Sequence, residues 1–419
     1  MKIVSYRDRN FAELAASLKR SPVPSSKVVA TVREFIQAVR SGGDDALVEI
    51  TNRFSPVKIS KMDLRLRKKA KLPPRNVVES LNYSLDNIAS FSGKRVPKAW
   101  RSKNKEGAVV GENFHPLQRV GIYVPGGTAP LVSTALMTVA LAKVAGVPEI
   151  VVCTPPAVGN DLLYAIQLAG ATEVYQVGGA QAVGALAYGT LTIARVQKIL
   201  GPGNAYVVEA KRQVFGDVGI DLLPGPSEIA VLADVTSNFK HVASDLLAQA
   251  EHGPGSQIYL LTSEEGVIDA VQTEIRKQLK SLDRQHYLQE TLTKGAWFIR
   301  ARNVKQAVAL IEDIAPEHLY LDCKDAKKLS ATIRNCGAVF IGKFSPVAAG
   351  DYLAGPSHTL PTGGAGRAFS GLTVDQFMRR TSVVEYSKGA LKKACPHLET
   401  LAALEGMTAH AASARIRIS

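Results

Sequence analysis

Between residues 117 and 235 short β-branched runs alternate with apolar helical segments, and this alternation leaves the chain few folds to choose from. Val120-Gly121-Ile122-Tyr123-Val124, Glu149 to Cys153 and Glu173 to Val177 read as strands, while Ser133 to Ala145, Asp161 to Leu168 and Gln181 to Tyr188 read as helices. A strand that returns through a helix to its neighbour builds a parallel sheet with right-handed crossovers. The pattern resumes after Ser256, with strands expected at Gln257 to Leu261, Trp297 to Arg300, Leu319 to Asp322 and Ala338 to Ile341. Helices are expected between them at Glu264 to Lys280, Val304 to Ile314 and Asp325 to Asn335. The predicted class is therefore α/β, with two Rossmann-like parallel-sheet domains. One would span 24–119 plus 229–373 and the other 120–228. The first hundred residues read as mostly helical, with amphipathic stretches at Val28 to Arg40 and Asp44 to Phe54. Small helical segments are expected at 1–23 and 374–419, the latter too small for a core of its own.

At 419 residues, with 46% hydrophobic and 21% charged residues, the chain has the make-up of a soluble globular protein. No run approaches the roughly 18 apolar residues of a membrane span. Met1 to Arg9 lacks the apolar core of a secretory signal, so a cytoplasmic location is expected. Cys153, Cys323, Cys336 and Cys395 show no Cys-x-x-Cys spacing, which excludes a zinc ribbon, a redox dithiol and a disulfide framework. Cys153, at a strand end, could be either a nucleophile or an ordinary buried thiol. The net charge of +14 is uneven: residues 1–106 hold 23 Lys and Arg against 10 Asp and Glu, hence +13 of it. The densest run, Arg65-Leu66-Arg67-Lys68-Lys69-Ala70-Lys71, could track phosphates, which keeps nucleic-acid binding as a rival of a different class. No aromatic interleaves with it, so a solvated face is the reading preferred here.

A dinucleotide-binding Gly-x-Gly-x-x-Gly turn is absent. Three other glycine-rich turns occur: Pro125-Gly126-Gly127-Thr128, Val177-Gly178-Gly179-Ala180-Gln181 and Gly201-Pro202-Gly203-Asn204-Ala205. Each follows an expected strand and leads into a helix, where bare backbone and a helix N-terminus suit a phosphate. Three on one edge of one sheet suggest a ligand crevice. Ser244 to Ala250 reads as a helix that Gly253-Pro254 stops, presenting Gln249 and His252 on one face. A polar residue three before a His also occurs on many solvated helix ends.

Taken together, Arg119-Val120-Gly121-Ile122-Tyr123-Val124-Pro125-Gly126-Gly127, Lys198-Ile199-Leu200-Gly201-Pro202-Gly203-Asn204-Ala205, Pro224-Gly225-Pro226-Ser227-Glu228, the Gln249 to Gly253 helix end, Ala315-Pro316-Glu317-His318-Leu319 and Thr408-Ala409-His410 resemble histidinol dehydrogenase. The resemblance runs from about residue 25 to the C-terminus and implies a zinc- and NAD-dependent enzyme of histidine biosynthesis. Such an enzyme oxidises L-histidinol through the aldehyde to L-histidine with two NAD. It implies Gln249, His252, Asp351 and His410 as zinc ligands, donors whose chemistry suits zinc. It implies Glu317 and His318 as the acid/base pair and Tyr123, Gln181 and Asn204 as NAD contacts. Ser227 and Glu405 would line the substrate pocket with Gln249, His252, His318, Asp351 and His410. His410 would reach into a partner subunit, making the site a property of a homodimer, with no nucleic-acid or membrane partner.

Without the resemblance, an adjacent Glu-His pair at a strand start reads as one side chain at the core edge and one in solvent. His358, close to Asp351, would pass for a ligand; the resemblance puts it on a substrate-pocket loop. Two further rivals are a dehydrogenase of the same fold acting on another alcohol or diol, and a zinc hydrolase in which Glu317 activates water without nicotinamide.

Overall fold

In a computed structural model the structure describes residues 1–18, 24–126 and 131–419. Its strands, in chain order, are β1 (Lys2–Ser5), β2 (Trp100–Lys103), β3 (Val109–Pro116), β4 (Arg119–Tyr123), β5 (Glu149–Thr154), β6 (Glu173–Gln176), β7 (Lys198–Leu200), β8 (Gly219–Ile220), β9 (Glu228–Ala233), β10 (Gln257–Thr262), β11 (Ala296–Arg300), β12 (His318–Asp322), β13 (Ala338–Ile341) and β14 (Met378–Glu385). A five-stranded sheet runs β6-β5-β4-β7-β8 and a six-stranded sheet runs β1-β11-β10-β9-β12-β13, every pair parallel. Both share one topology. The first strand of each unit (β4, β9) lies central, the next two extend to one side and the last two to the other, the doubly wound order that leaves a crevice where the direction reverses. The central strands are largely apolar runs because helices cover both faces; β9 and β12 are buried at every position.

Helices Val132–Val144 and Asn160–Leu168 cover one face of the five-stranded sheet, and Gly179–Tyr188 and Ala205–Val214 the other. Helix Ser26–Phe54 also packs there through Val32, Ile36, Val39, Leu47 and Ile50, and helix Arg75–Gly93 joins the opposite face through Leu81 and Ile88. In the segment 24–119, expected with the unit of 229–373, these apolar stripes meet the sheet of 119–220, while Ser84 and Asn87 of helix Arg75–Gly93 donate to the Tyr352 and Leu353 carbonyls of the other unit. The two amphipathic stretches form one helix kinked at Gly43, whose φ of 55° breaks the helical geometry.

The terminal segments differ from expectation as well. Residues 1–23 are not simply helical: β1 extends the six-stranded sheet beside β11, followed by helix Phe11–Ser17. Residues 19–23, like Gly127 and Thr128 of the first glycine-rich turn, lie outside the described residues. The tail after Val374 contains β14, which pairs antiparallel with β3 over eight residues, β2 completing a three-stranded sheet. Helices Lys388–Leu404 and Thr408–Arg415 follow. The helix expected over Asp325 to Asn335 shrinks to Ala326–Ser330.

The basic run has a structural role. Leu66 donates to the Val174 carbonyl at 2.8 Å, the Gln176 amide donates to the Leu64 carbonyl at 2.8 Å, and the Lys71 amide donates to Asn160 at 2.8 Å. The segment covers the outer edge of β6, with Arg65 3.8 Å from Glu173 and Arg67, Lys68, Lys69 and Lys71 exposed, a charged edge that resists pairing with other chains.

Candidate active site

Helix Val304–Ile314 ends at Ala315, whose left-handed conformation (φ 49°) turns the chain through Pro316 into β12. Glu317 and His318 therefore arrive at the amino edge of the six-stranded sheet, only 7% and 3% exposed. The parallel register His318↔Ile229 brings Ser227 and Glu228 alongside. Glu317 Oε2 accepts a hydrogen bond from Ser227 Oγ and another from the Glu228 amide at 3.0 Å. Burial is the larger influence and pushes the Glu317 carboxyl up to about 7, although both hydrogen bonds pull it down.

His318 Nδ1 lies 3.1 Å from the Glu228 carbonyl oxygen. A carbonyl only accepts, so Nδ1 carries the proton and Nε2 keeps its lone pair. Nε2 faces Asp351 Oδ1 at 3.7 Å. Burial first holds the imidazole below its ordinary value, against the pull of Asp351 and the Glu228 carbonyl. The bland reading of an adjacent Glu-His pair fails here, because both side chains are buried and both are held by the same β9 entry.

Helix Phe239–Ala250 supplies the next group. Gln249 is 3% exposed and among the described residues its Nε2 has no hydrogen-bond partner, an orphaned buried amide of the kind that calls for an explanation. His252, past the helix end, is exposed, yet desolvation in the cleft and then the nearby His318 and Arg284 lower its pKa. Gly253, at φ 93°, makes the turn that stops the helix beside it. Asp351 sits on the short helix Val347–Tyr352, whose first amide donates to Asp245 Oδ1 at 3.0 Å. Burial raises Asp351, and pushes Asp245 up to about 6.

The loop after that helix joins this edge to the other sheet. Ser357 Oγ donates to the Met137 carbonyl at 3.1 Å, and His358 lies 3.1 Å from Thr134 Oγ1 through Nε2 and 3.1 Å from the Asp351 carbonyl through Nδ1. Both nitrogens are thus engaged in packing the loop against helix Val132–Val144, and burial drives the imidazole down to about 4.

Tyr123, Gln181 and Asn204 stand at the shared carboxyl edge of the five-stranded sheet. The Tyr123 hydroxyl accepts from the Gly179 amide at 3.1 Å, Gln181 Nε2 reaches Thr51 Oγ1 at 3.4 Å, and Asn204 Oδ1 caps helix Ala205–Val214 by accepting from Tyr206 and Val207 amides at 3.0 and 3.2 Å. Asn204 is exposed, whereas Tyr123 and Gln181 are buried walls. Cys153 is fully buried and its thiol is pushed up to about 12 by burial, so it is no nucleophile.

Glu405 and His410 are not brought to this cluster within the chain. Both are exposed, Glu405 ending helix Lys388–Leu404 and His410 on Thr408–Arg415. Among the described residues no three His, Cys, Asp or Glu side chains of this chain gather as a metal site. Thr134 and Asp245 were missed by sequence reasoning. For Asp245 a signal existed: an acid on the buried stripe of an otherwise apolar helix.

The family model described as histidinol dehydrogenase matches residues 18–418. A histidinol dehydrogenase of Syntrophotalea carbinolica is 42% identical, over all of this chain and 99% of that protein, and one of Geobacter sulfurreducens is 41% identical over the whole of both. The crystal structure of a histidinol dehydrogenase from Elizabethkingia anophelis superposes with a TM-score of 0.94 at 31% identity, covering 100% of this chain and 98% of that one.

Proposed function

The chain belongs to the histidinol dehydrogenase family, and from that membership we propose that it carries out the full NAD-linked, zinc-dependent oxidation of L-histidinol through L-histidinal to L-histidine. The observation that carries this reading is the buried Glu317-His318 pair: one carboxyl held near neutrality and one imidazole with a defined, unprotonated Nε2, side by side. Oxidising an alcohol to an acid needs a base for the hydroxyl proton at each hydride loss and a base for the water added between them. His318 Nε2 takes the alcohol proton in the first half and the hydrate proton in the second. Glu317, ionised near its raised pKa, draws the proton from the water that attacks the aldehyde carbon. Burial at the β9 and β12 entry limits competing water around both groups. NAD, when bound at the Tyr123, Gln181 and Asn204 turns, supplies the hydride acceptor.

Gln249, His252 and Asp351 would hold zinc together with the partner subunit's His410. The donor set fits by type, an amide oxygen, a carboxylate and an imidazole favoured in its neutral form; rotation of the Gln249 amide would turn its oxygen to the place where the buried Nε2 has no partner among the described residues. Zinc would anchor the substrate's amine and imidazole nitrogens, leaving its carbinol free to face the base. Ser227 and the partner subunit's Glu405 complete the pocket. This makes the working enzyme a homodimer with shared sites, and a cytoplasmic location suits it. Among the described residues no helix is long and apolar enough to cross a membrane.

The test is the NADH formed per L-histidinol consumed, with and without a zinc chelator. About two NADH per substrate, lost with chelation and restored by zinc, is expected. No NADH from histidinol would leave another alcohol as substrate, and turnover without nicotinamide would favour the hydrolase. Gln249→Ala and His252→Ala should lower bound zinc and activity together, and full zinc occupancy in both would remove them as ligands.

A further inference from the structure

The third glycine-rich turn is held from beneath by a pair of charges that the proposed chemistry does not use. Lys211, on helix Ala205–Val214, and Asp221, just past β8, form an ion pair in which both side chains are 0% exposed. Lys211 Nζ also donates to the Gly201 carbonyl at 2.9 Å, and Asp221 Oδ2 accepts from the Gly201 amide at 2.7 Å. Both polar groups of one glycine are thus bound by the two opposite charges of one buried pair. Gly201 itself sits at φ 109°, and a Cβ there would collide with the Tyr123 carbonyl. The residue that opens the turn is fixed on three sides, and one of them is the strand end that carries Tyr123.

A buried ion pair is seldom a net source of stability, because apolar residues of similar volume can replace it without loss. What this pair supplies that an apolar one would not is a fixed orientation of the Gly201 peptide. That peptide leads through Pro202 and Gly203 into Asn204, the exposed cap of the following helix and one of the expected NAD contacts. It lies between β4 and β7, where the strand order of this sheet reverses and a dinucleotide crevice is expected.

We propose that the buried Lys211–Asp221 pair is a positioning device for the dinucleotide turn, setting NAD affinity by holding the Gly201 peptide, and through it Asn204, in the binding geometry. This rests on the reading that NAD occupies the carboxyl edge of this sheet. The pair touches neither substrate nor reacting atoms, so its removal should act on NAD binding alone.

The experiment measures NADH dissociation constants by fluorescence titration, with L-histidinol KM, zinc content and unfolding midpoint alongside. The double variant K211M/D221L exchanges the charges for apolar groups and frees the Gly201 amide and carbonyl. It should fold, keep its zinc and its histidinol KM, and bind NADH about tenfold to a hundredfold more weakly. A folded double variant with wild-type NADH affinity overturns the proposal. Asp221→Ala, which removes the acceptor for the Gly201 amide together with the partner of Lys211, gives a second reading: weakened NADH binding with the histidinol KM kept supports the proposal, and unchanged affinity overturns it even if the double variant does not fold. Wild-type protein that binds no NADH would remove the cofactor reading itself, and this one with it.

Discussion

Ser227 is the residue on which the poise of Glu317 depends most directly. Its hydroxyl bonds to the charged form of the buried carboxyl, and a hydrogen bond to a charged group is worth about 1.5–3 kcal/mol. In Ser227→Ala the carboxylate loses that support while burial still raises it, so its pKa moves further above about 7. The acid limb of the pH–rate profile should shift upward by about one unit or more, and an unmoved limb would show that Glu317 is not the titrating base. The adjacent letters Glu317 and His318 were plain in the sequence, but their shared support was not: Ser227 and Glu228 lie some ninety positions earlier and arrive only through parallel pairing. His358 is the converse case, a histidine near Asp351 that looks like a ligand in one dimension and has both nitrogens already engaged in three.

At the scale of elements, strand entries carry the architecture. Gly337 precedes β13, and a Cβ there would stand 2.5 Å from the Glu317 carbonyl oxygen and 3.1 Å from Leu360 Cβ. Backbone cannot yield as a flexible side chain can, so Gly337→Ala should destabilise the protein by about 1–3 kcal/mol and lower turnover by moving Glu317. Wild-type activity and unfolding midpoint would contradict this. At the amino edge of the other sheet, Arg119 of β4 donates to Glu173 of β6 at 2.9 and 3.0 Å and also to Glu149 of β5, tying three strand starts together. The bond from Arg119, ahead of the opposing burial, lowers Glu173 from 4.5 to about 2. A depressed folded pKa means that this stabilisation is complete above about pH 4.5 and is lost as pH falls through about 2. Glu173→Gln should therefore cost up to about 3 kcal/mol near neutrality and flatten the acid unfolding slope in that window, as denaturant titrations at several pH values would show. The core strands were legible because fully buried parallel strands are apolar runs. β1 and β14 were not, since a four-residue edge strand and a polar strand gain their identity from partners hundreds of residues away.

At the scale of the whole molecule, the Ser357-His358 loop ties the Asp351 carbonyl, on the side of the six-stranded sheet, to helix Val132–Val144 on the five-stranded one. The tail places Glu405 and His410 in solvent, consistent with the proposed service to a second subunit. If sites are shared, His318→Ala and His410→Ala chains, each inactive alone, should regain activity when co-expressed. A mixed dimer holds one site with an intact His318 and an intact His410 from its partner, so random pairing gives about a quarter of wild-type activity. No recovery, with mixed dimers shown to form, would mean that His410 serves its own chain. The two parallel sheets, the glycine-rich turns and the identity of the chemical groups were readable from the amino-acid order alone, because local periodicity and turn chemistry are written in neighbouring residues. The folded chain was needed to show that helix Ser26–Phe54 packs on the five-stranded sheet, that the basic run guards a strand edge, and that Ser227, Glu317 and His318 share one buried entry. Those outcomes follow from packing between distant segments, and burial and hydrogen-bond geometry, which set the pKa of each group, exist only once that packing is complete.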